Sequence, residues 1–236
     1  MSDMIERKDG TLVLQTNADP AAAGCQMLGF RRYSVGLDVG GRGDDPSALT
    51  IIKAESLPYL TGNGFEQALT QPKYTVVYTE TVKLGEATDL VDWTVGKLRQ
   101  LKHWRLTFDA TGMGAPLKSM FDQAKVPTMA VTMTAGSSIN REGDRATVSK
   151  NVLFENVATL LETGQMIIAH DLPEREDPIR EISSVEFQTT SAGNLTLKGG
   201  GRGHHADRFV STALAAIAET HLPEQRMTTT KLVNYF

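Results

Sequence analysis

Residues 33–41 read Tyr-Ser-Val-Gly-Leu-Asp-Val-Gly-Gly, an apolar run with one acid near its end and two glycines after it. Short apolar runs that stop at glycine are typical of buried β-strands, so a strand is predicted over 33–39. Asp38 then lies at the end of that strand, where the side chains of neighbouring strands share a crevice in an open sheet. This one stretch predicts both a sheet and the place on it where chemistry occurs.

Turn residues and apolar periodicity divide the rest of the chain into short elements. Strands are expected over 47–54 and 73–83, separated by a loop over 55–72 that holds glycine and proline. The elements predicted after them are, in order, a helix over 88–102, a strand over 105–109, a helix starting near Pro116, a strand over 128–133, a helix over 144–163 with Gly164 as its C-cap, a strand over 166–169, a helix over 177–187, a hairpin over 186–198 and a helix over about 204–221. This order indicates an α/β domain with a mixed central sheet, whose first three strands are antiparallel and whose helices cover both faces.

The composition is that of an ordinary globular domain. The chain has 236 residues, of which 40% are hydrophobic and 22% charged, and its one cysteine, Cys25, excludes an internal disulfide and a cysteine-based zinc cage. Residues 1–30 show no sustained period and are interpreted as a tail or linker, residues 31–222 as the folded domain, and residues 223–236 as a C-terminal tail. No apolar run is long enough to span a membrane and the N-terminus lacks the apolar core of a signal peptide, so a cytosolic location is expected.

Three aspartates fall at special positions in these elements. Asp38 ends the first strand, Asp109 ends the strand after the first helix, and Asp207 lies in the first turn of the last helix. We expect the strands of Asp38 and Asp109 to be parallel neighbours, so that both carboxylates share one crevice. A third carboxylate delivered there by a helix would complete the oxygen-rich pocket that Mg²⁺ and Mn²⁺ prefer. Two such ions, about 3.5–4 Å apart, can hold a phosphodiester and activate water.

Each acid also has an ordinary structural interpretation. Asp38 before two glycines fits a turn, Asp109 fits a helix entry, and Asp207 fits a first-turn acid favoured by the helix dipole. Asp44 and Asp45 precede a proline and fit loop positions. The metal site is indicated by the conjunction of the first three acids. The net charge of −4 counts mildly against a nucleic-acid partner, although a carboxylate cluster adds negative charge that bound cations offset.

Three stretches resemble the motifs of the nuclease domain of phage terminase large subunits. Residues 36–49 are similar to the first motif of that family, in which a strand ends in a catalytic Asp and a second acid follows several residues later. Residues 108–114, Phe-Asp-Ala-Thr-Gly-Met-Gly, resemble the second motif, and residues 203–215 resemble the third, in which an Asp opens a helix rich in alanine and leucine. The resemblance covers about residues 30–221.

The resemblance implies an RNase H-like fold, similar to that of RuvC-type resolvases. It also implies cleavage of concatemeric viral double-stranded DNA with two divalent ions, Mg²⁺ or Mn²⁺, during genome packaging. The catalytic and metal-binding residues that it implies are Asp38, Asp109 and Asp207. Ala206 stands where the family often has another acid, so Asp44 or Asp45 is expected to supply a further ligand.

The packaging context has further implications. The terminase small subunit and the portal are implied as partners, and the host cytoplasm as the location. The chain contains no Gly-x-x-x-x-Gly-Lys-Ser/Thr phosphate loop, so the ATPase motor of the full subunit is absent from it. We therefore expect either an excised nuclease domain or a separate nuclease polypeptide.

Basic residues occur in and near the motif loops and the predicted hairpin. Those expected to contact DNA phosphates are Arg42, Lys83, Lys150, Lys198, Arg202 and Arg208. A solvated surface of mixed charge is the alternative for any one of them. His204 and His205 fit either a role in orienting phosphate or metal, or that of polar residues at a helix start.

Two other functions fit parts of the pattern. Residues 38–41 and 109–112 also resemble the phosphate-binding turns of the sugar-kinase and actin superfamily, which would make the chain a nucleotide-binding domain. Asp207 has no role in that interpretation. A catalytically inactive module of the packaging motor is the other alternative, and metal-dependent nicking of plasmid DNA separates the nuclease from both.

Overall fold

The computed structural model describes residues 3–15, 26–41, 45–62, 66–184, 186–189, 195–198 and 206–222. The strands are β1 (Asp3–Glu6), β2 (Thr11–Gln15), β3 (Leu28–Asp38), β4 (Ser47–Ser56), β5 (Pro58–Leu60), β6 (Gln67–Leu69), β7 (Lys73–Val82), β8 (Trp104–Asp109), β9 (Thr128–Thr134), β10 (Ile139–Glu142), β11 (Arg145–Ser149), β12 (Met166–Ile168), β13 (Glu186–Thr189) and β14 (Leu195–Lys198). The helices are α1 (Ala87–Leu98), α2 (Leu117–Gln123), α3 (Lys150–Glu162), α4 (Glu176–Ser184) and α5 (Asp207–Thr220), with a short 3₁₀ turn over Gly112–Gly114. None of the helices in these ranges is long and apolar enough to cross a membrane.

Within the described part of the chain, ten strands form one mixed sheet. Its main path runs β10-β11-β9-β8-β3-β4-β7-β12, and the β1–β2 hairpin pairs with the early part of β3. The neighbours β3, β4 and β7 are antiparallel, whereas β3, β8, β9 and β11 run parallel. The predicted mixed sheet is confirmed, and so is the parallel pairing of the two strands that carry Asp38 and Asp109.

Helices pack on both faces of this sheet, as predicted. Residues of α3 and α5 form one buried cluster with the sheet, and residues of α1 and α2 form a second. Side chains alternate along β3, so Val35 and Leu37 belong to the cluster of α1 and α2, whereas Ser34 and Gly36 face α5. Asp38 shares the parity of Gly36 and therefore leaves β3 on the α5 side.

Helix α5 lies directly on the centre of the sheet because the strands beneath it present small and hydroxyl-bearing residues. A Cβ on Gly36 would stand 1.9 Å from the carbonyl oxygen of Ser211. The Ser34 hydroxyl donates a hydrogen bond to the Ala215 carbonyl at 2.7 Å, and the hydroxyls of Thr50 and Ser211 share another at 2.7 Å. These buried hydrogen bonds fix the position of the helix along the strands.

Charged side chains hold the C-terminal end of α5. The side chain of Glu219 is 1% exposed and forms ion pairs with Arg32 and Arg105. The Arg105 guanidinium also donates to the carbonyl oxygens of Ala218 and, at 3.3 Å, of Leu222. Carbonyl groups in the last turn of a helix have no hydrogen-bond donors within the helix, and the Arg105 guanidinium supplies those donors here.

The N-terminal segment contains regular structure where a tail or linker was predicted, and for residues 3–15 that prediction is wrong. These residues form the β1–β2 hairpin, and Leu12 and Leu14 of β2 are buried. The hairpin is stabilised by pairing with β3, which the local pattern does not reveal. The domain boundaries themselves stay predictions, and the C-terminal tail over 223–236 lies outside the described residues.

The predicted helix over 144–163 is also wrong in its first part. Its opening residues belong to the β10–β11 hairpin, and α3 begins only after Ser149, whose hydroxyl accepts a hydrogen bond from the Val152 N–H at 3.2 Å. Ala146 and Val148 are spaced so that they fit a strand as well as an extension of the helix. Parallel pairing of β11 with β9 decides for the strand.

The remaining predictions of local structure differ less from the structure. The expected loop over 55–72 contains the short β5–β6 hairpin. The hairpin over 186–198 is confirmed as the antiparallel pair β13–β14, and Gly164 follows α3 with φ +64, as a C-cap glycine does. The last helix begins at Asp207, and residues 201–205 before it lie outside the described residues.

Replacing Gly36 by alanine is expected to destabilise the fold. The added Cβ would meet the Ser211 carbonyl oxygen at 1.9 Å, and the strain is relieved only if α5 moves off the sheet. Overpacking of this kind costs about 1–3 kcal/mol. Urea unfolding measures the effect.

Gly96→Ala is the matched control, because nothing lies within 4 Å of a Cβ at this exposed position of α1. Alanine should stabilise that helix by about 0.5–1 kcal/mol. A Gly36→Ala protein as stable as the wild type would contradict the close packing of α5 on β3.

Candidate metal centre

Asp38 and Asp109 end neighbouring parallel strands at the same edge of the sheet. The last paired residues of β3 and β8 are Leu37 and Phe108, so Asp38 and Asp109 are the next pair along the two strands. Asp109 is 8% exposed. The sequence therefore predicted this juxtaposition correctly, and α5 covers the face on which the acids lie.

A tight turn after β8 fixes the carboxylate of Asp109. Its Oδ1 accepts a hydrogen bond from the Thr111 N–H at 2.8 Å, and the Thr111 hydroxyl accepts one from the Met133 N–H of β9 at 2.9 Å. Gly112 has a φ of +56, and a Cβ on Gly114 would stand 1.8 Å from the Asp109 carbonyl oxygen. The turn folds back on Asp109 closely and through a positive φ, so its two glycine positions in Asp-Ala-Thr-Gly-Met-Gly need residues without a Cβ.

The loop between β3 and β4 brings a further acid, Asp45, to the same edge. Its Oδ2 accepts a hydrogen bond from the Gly41 N–H at 3.0 Å, and the Ser47 hydroxyl accepts one from the Gly40 N–H at 3.0 Å. A Cβ on Gly40 would stand 2.3 Å from the Asp45 carbonyl oxygen. The two glycines after β3 therefore allow the loop to close tightly behind Asp38.

Asp207, the first residue of α5, acts on the same carboxylate. Burial raises the pKa of Asp38 well above its ordinary value, and the negative charges of Asp207, Asp109 and Asp45 raise it further, in that order. The positive charge of Lys150, the first residue of α3, lowers it. Four acids and one lysine from five parts of the chain thus share one electrostatic environment.

The pKa of Asp109 is raised as well, and burial is the main cause. Hydrogen bonds from Thr111 and the charge of Lys150 act against this rise. Shifted pKa values in a crevice at strand ends are typical of functional sites, although buried ion-pair networks also produce them.

The donor set suits a hard divalent cation. Such ions prefer carboxylate oxygens, and a cation offsets the repulsion among buried like charges. Among the described residues, no group of three aspartate, glutamate, histidine or cysteine side chains already stands close enough together to hold a metal ion. These carboxylates therefore stand farther apart than the ligands of one metal ion do, and a bound cation would have to draw them together.

The predicted DNA contacts differ in their surroundings. Lys150 and Lys83 are both exposed, and both lie at the edge that carries the acids, at the ends of β11 and β7. Arg208 is 15% exposed and pairs with Glu181 at 2.9 Å and with Asp177 at 3.5 Å. We therefore assign Arg208 to the contact between α4 and α5, because its guanidinium is engaged by acids and turned away from solvent.

Several predicted residues cannot be placed in the site. Five of them lie outside the described residues: Arg42, Asp44, Arg202, His204 and His205. Lys198 belongs to β14, but its side chain lies outside the described part. Their roles stay predictions. Glu181, by contrast, was not predicted as part of the site; the signal for it was Ala206, which cannot cap the helix that Asp207 opens.

The chain is similar to known proteins in structure but not in sequence. No protein-family model and no curated protein matches the sequence. Among solved structures, the large terminase nuclease from thermophilic phage G20c is similar to the chain with a TM-score of 0.54 and 20% identity, over 91% of this chain and 90% of that one. The nuclease domain of the large terminase subunit gp2 of bacterial virus Sf6 gives a TM-score of 0.55 and 12% identity, over 78% and 87%.

The chain has the fold of phage large terminase nuclease domains. The Thermus phage P74-26 large terminase nuclease domain is a third example, with a TM-score of 0.53 and 20% identity over 80% of each chain. The resemblance seen in the sequence motifs and the RNase H-like fold that it implied are thereby confirmed. At these identities the likeness is one of fold.

In this terminase-type fold, Asp38→Asn is expected to stabilise the protein in EDTA at neutral pH. Asparagine removes a half-buried negative charge that is repelled by those of Asp207 and Asp109. Each kcal/mol of repulsion relieved should raise the melting temperature by about 2–4 °C. Because the pKa of Asp38 is raised in the folded state, the wild-type protein gains stability as the pH falls through that pKa and loses it as the pH rises.

The difference in melting temperature between Asp38→Asn and wild type should therefore shrink as the pH is lowered from about 7 to about 4. Asp92→Asn, which changes an exposed acid on α1, is the control and should show no such trend. A wild-type protein more stable than Asp38→Asn at neutral pH in EDTA would contradict the repulsion at the site.

Proposed function

We propose that this chain is the nuclease of a phage packaging terminase, a metal-dependent endonuclease that cuts concatemeric viral double-stranded DNA. The observation that carries the proposal is the shared electrostatic environment of Asp38, Asp109 and Asp207 in this fold. Solved structures of the G20c nuclease with bound magnesium and with bound cobalt, and of the Sf6 domain with manganese, support a divalent metal as the cofactor.

The residues that would hold two divalent ions, Mg²⁺ or Mn²⁺, are Asp38, Asp109 and Asp207, with Asp45 or Asp44 as a further ligand. Bound there, such ions supply Lewis acidity and an activated water for hydrolysis of the phosphodiester. The chain itself positions the ligands: the Thr111 turn orients one carboxylate, and α5 presents another from above the sheet. Since the pKa of Asp38 is raised, metal uptake is accompanied by proton release.

Basic residues at the same edge support a path for the DNA backbone. The charge of Lys150 acts on both Asp38 and Asp109, and we propose that its ammonium group contacts a phosphate bound beside them. Lys83 follows β7 at this edge. The further phosphate contacts that we propose from the sequence are Arg42, Lys198 and Arg202.

A nuclease accounts for Asp207 better than the alternatives do. In a nucleotide-binding domain of the sugar-kinase or actin type this residue has no role, yet its charge is the strongest of those that act on Asp38. A catalytically inactive module has no use for buried carboxylates that repel one another, because their repulsion lowers stability.

The proposed setting is genome packaging in the host cytoplasm. Double-stranded DNA is the substrate, and the terminase small subunit and the portal are the proposed partners. No Gly-x-x-x-x-Gly-Lys-Ser/Thr phosphate loop occurs in these 236 residues, so we propose that the ATPase that drives packaging lies outside them.

DNA cleavage is expected to require a divalent ion and all three aspartates. Supercoiled plasmid should be nicked and linearised in Mg²⁺ or Mn²⁺ and should stay intact in EDTA. Asp38→Asn, Asp109→Asn and Asp207→Asn should each lower the rate by orders of magnitude, since losing a ligand loses a metal. Gel electrophoresis of the plasmid over time measures the rate.

Asp92→Asn serves as the control for these three substitutions and should cut at the wild-type rate, because this acid is exposed on α1. Cleavage that persists in EDTA, or that survives Asp109→Asn at full rate, would rule the proposal out. Nucleotide binding without any cleavage would favour the sugar-kinase type of domain instead.

Binding of DNA is expected to be independent of sequence and to weaken steeply with salt, because the basic residues contact phosphates. Lys150→Ala should reduce the slope of log Kd against log salt by about one unit. Lys125→Ala, an exposed lysine at the opposite end of the sheet, should leave the slope unchanged. Fluorescence anisotropy of a labelled duplex measures both, and equal slopes for Lys150→Ala and wild type would remove Lys150 from the DNA path.

A further inference from the structure

The first turn of α5 carries Asp207 but has no cap of its own. The N-cap residue is Ala206, whose methyl group accepts no hydrogen bond, although the first N–H groups of a helix need acceptors from outside it. Another helix supplies the acceptor here. Glu181 of α4 accepts the N–H of Arg208 at 2.9 Å and the N–H of Phe209 at 3.3 Å, both with Oε2.

The side chain of Arg208 binds the same carboxylate a second time. Its Nη1 donates to Oε1 of Glu181 at 2.9 Å, and its Nη2 lies 3.5 Å from Asp177 Oδ2 and 3.5 Å from the Thr81 hydroxyl of β7. The side chains of Glu181 and Arg208 are 14% and 15% exposed, so the pair is largely shielded from water. These contacts join α4, α5 and β7 at the point where α5 begins.

We propose that Glu181 is a positioning residue for Asp207. It binds the two N–H groups that directly follow Asp207 along the chain, and so holds in place the helix turn that carries Asp207. Both oxygens of Glu181 are engaged by N–H donors of α5, so it acts through the backbone of the helix and is not itself a metal ligand. This inference rests on the metal site proposed above.

The place of this cap makes it relevant to metal binding. Helix ends fray, and a cap opposes the fraying of the first turn wherever it occurs. Here the fraying turn would carry the acid whose charge acts most strongly on Asp38. Groups that hold metal ligands in place typically affect metal affinity by about 10–100-fold when they are removed.

Mn²⁺ affinity, measured by titration calorimetry on the whole chain, tests the inference without relying on cleavage. Glu181→Ala should weaken Mn²⁺ binding by about 10–100-fold. Glu181→Gln should bind more tightly than Glu181→Ala, because its amide oxygen still accepts the backbone N–H groups of Arg208 and Phe209, although its amide nitrogen cannot accept from the Arg208 guanidinium. Saturating Mn²⁺ should restore DNA cleavage by Glu181→Ala, whose ligands are intact, but should not restore cleavage by Asp207→Asn.

Asp177→Ala is the matched control, because it removes another α4 carboxylate that contacts the Arg208 guanidinium. It should leave Mn²⁺ affinity unchanged. Melting temperatures in EDTA establish that each variant is folded. If Glu181→Ala does not fold, Glu181→Asp replaces it with the same expectation, because the shorter side chain keeps the charge but does not reach the N–H groups.

Wild-type Mn²⁺ affinity in Glu181→Ala would overturn the positioning role, since the cap would then be only structural. A Glu181→Gln protein as defective as Asp207→Asn would overturn it too, because Glu181 would then behave as a ligand. If the wild-type protein binds no Mn²⁺ at all, the proposed function fails, and this inference fails with it. If the wild-type protein and Glu181→Ala bind Mn²⁺ equally well, only this inference fails, so the two outcomes are distinguishable.

Discussion

The close approach of α5 to β3 is the constraint on which the rest of the structure depends. Because Gly36 has no side chain, the Ser211 carbonyl oxygen comes within 1.9 Å of where a Cβ would stand, and buried hydroxyls of Ser34 and Thr50 hold the helix in register. This contact sets the height of the first turn of α5 above the sheet. A helix held any farther away would carry Asp207 away from the ends of β3 and β8.

The acids that meet at those strand ends work against the stability of the fold. Burial and like charges raise the pKa of Asp38, burial raises that of Asp109, and Lys150 opposes both shifts. The hydrogen bonds and ion pairs along α5 keep the acids from moving apart, so their repulsion is retained in the folded state. A crevice of buried, repelling carboxylates is an environment that a divalent cation stabilises more than any neutral ligand could.

Positive charge in this protein is divided between holding α5 and lining the edge of the crevice. Arg32 and Arg105 hold the C-terminal end of the helix through Glu219, and Arg208 holds the N-terminal end through acids of α4. A guanidinium suits these roles because its several donors satisfy more than one acceptor at once. Lys150 is exposed at the crevice instead, so the overall charge of −4 says less about a DNA partner than the placement of single cations.

By itself the sequence determined the types and order of most elements and the three acids at their ends, because strand runs, glycine turns and helix starts leave local signals. It did not reveal the hairpin over 3–15 or the strand over 145–149, since each depends on pairing with a strand that is distant in the chain. Only the tertiary structure decided that Arg208 binds acids of α4 and that Glu181, 27 positions before it, caps the helix of Asp207. A contact between residues so far apart depends on how helices pack, and local patterns of residues do not record that packing.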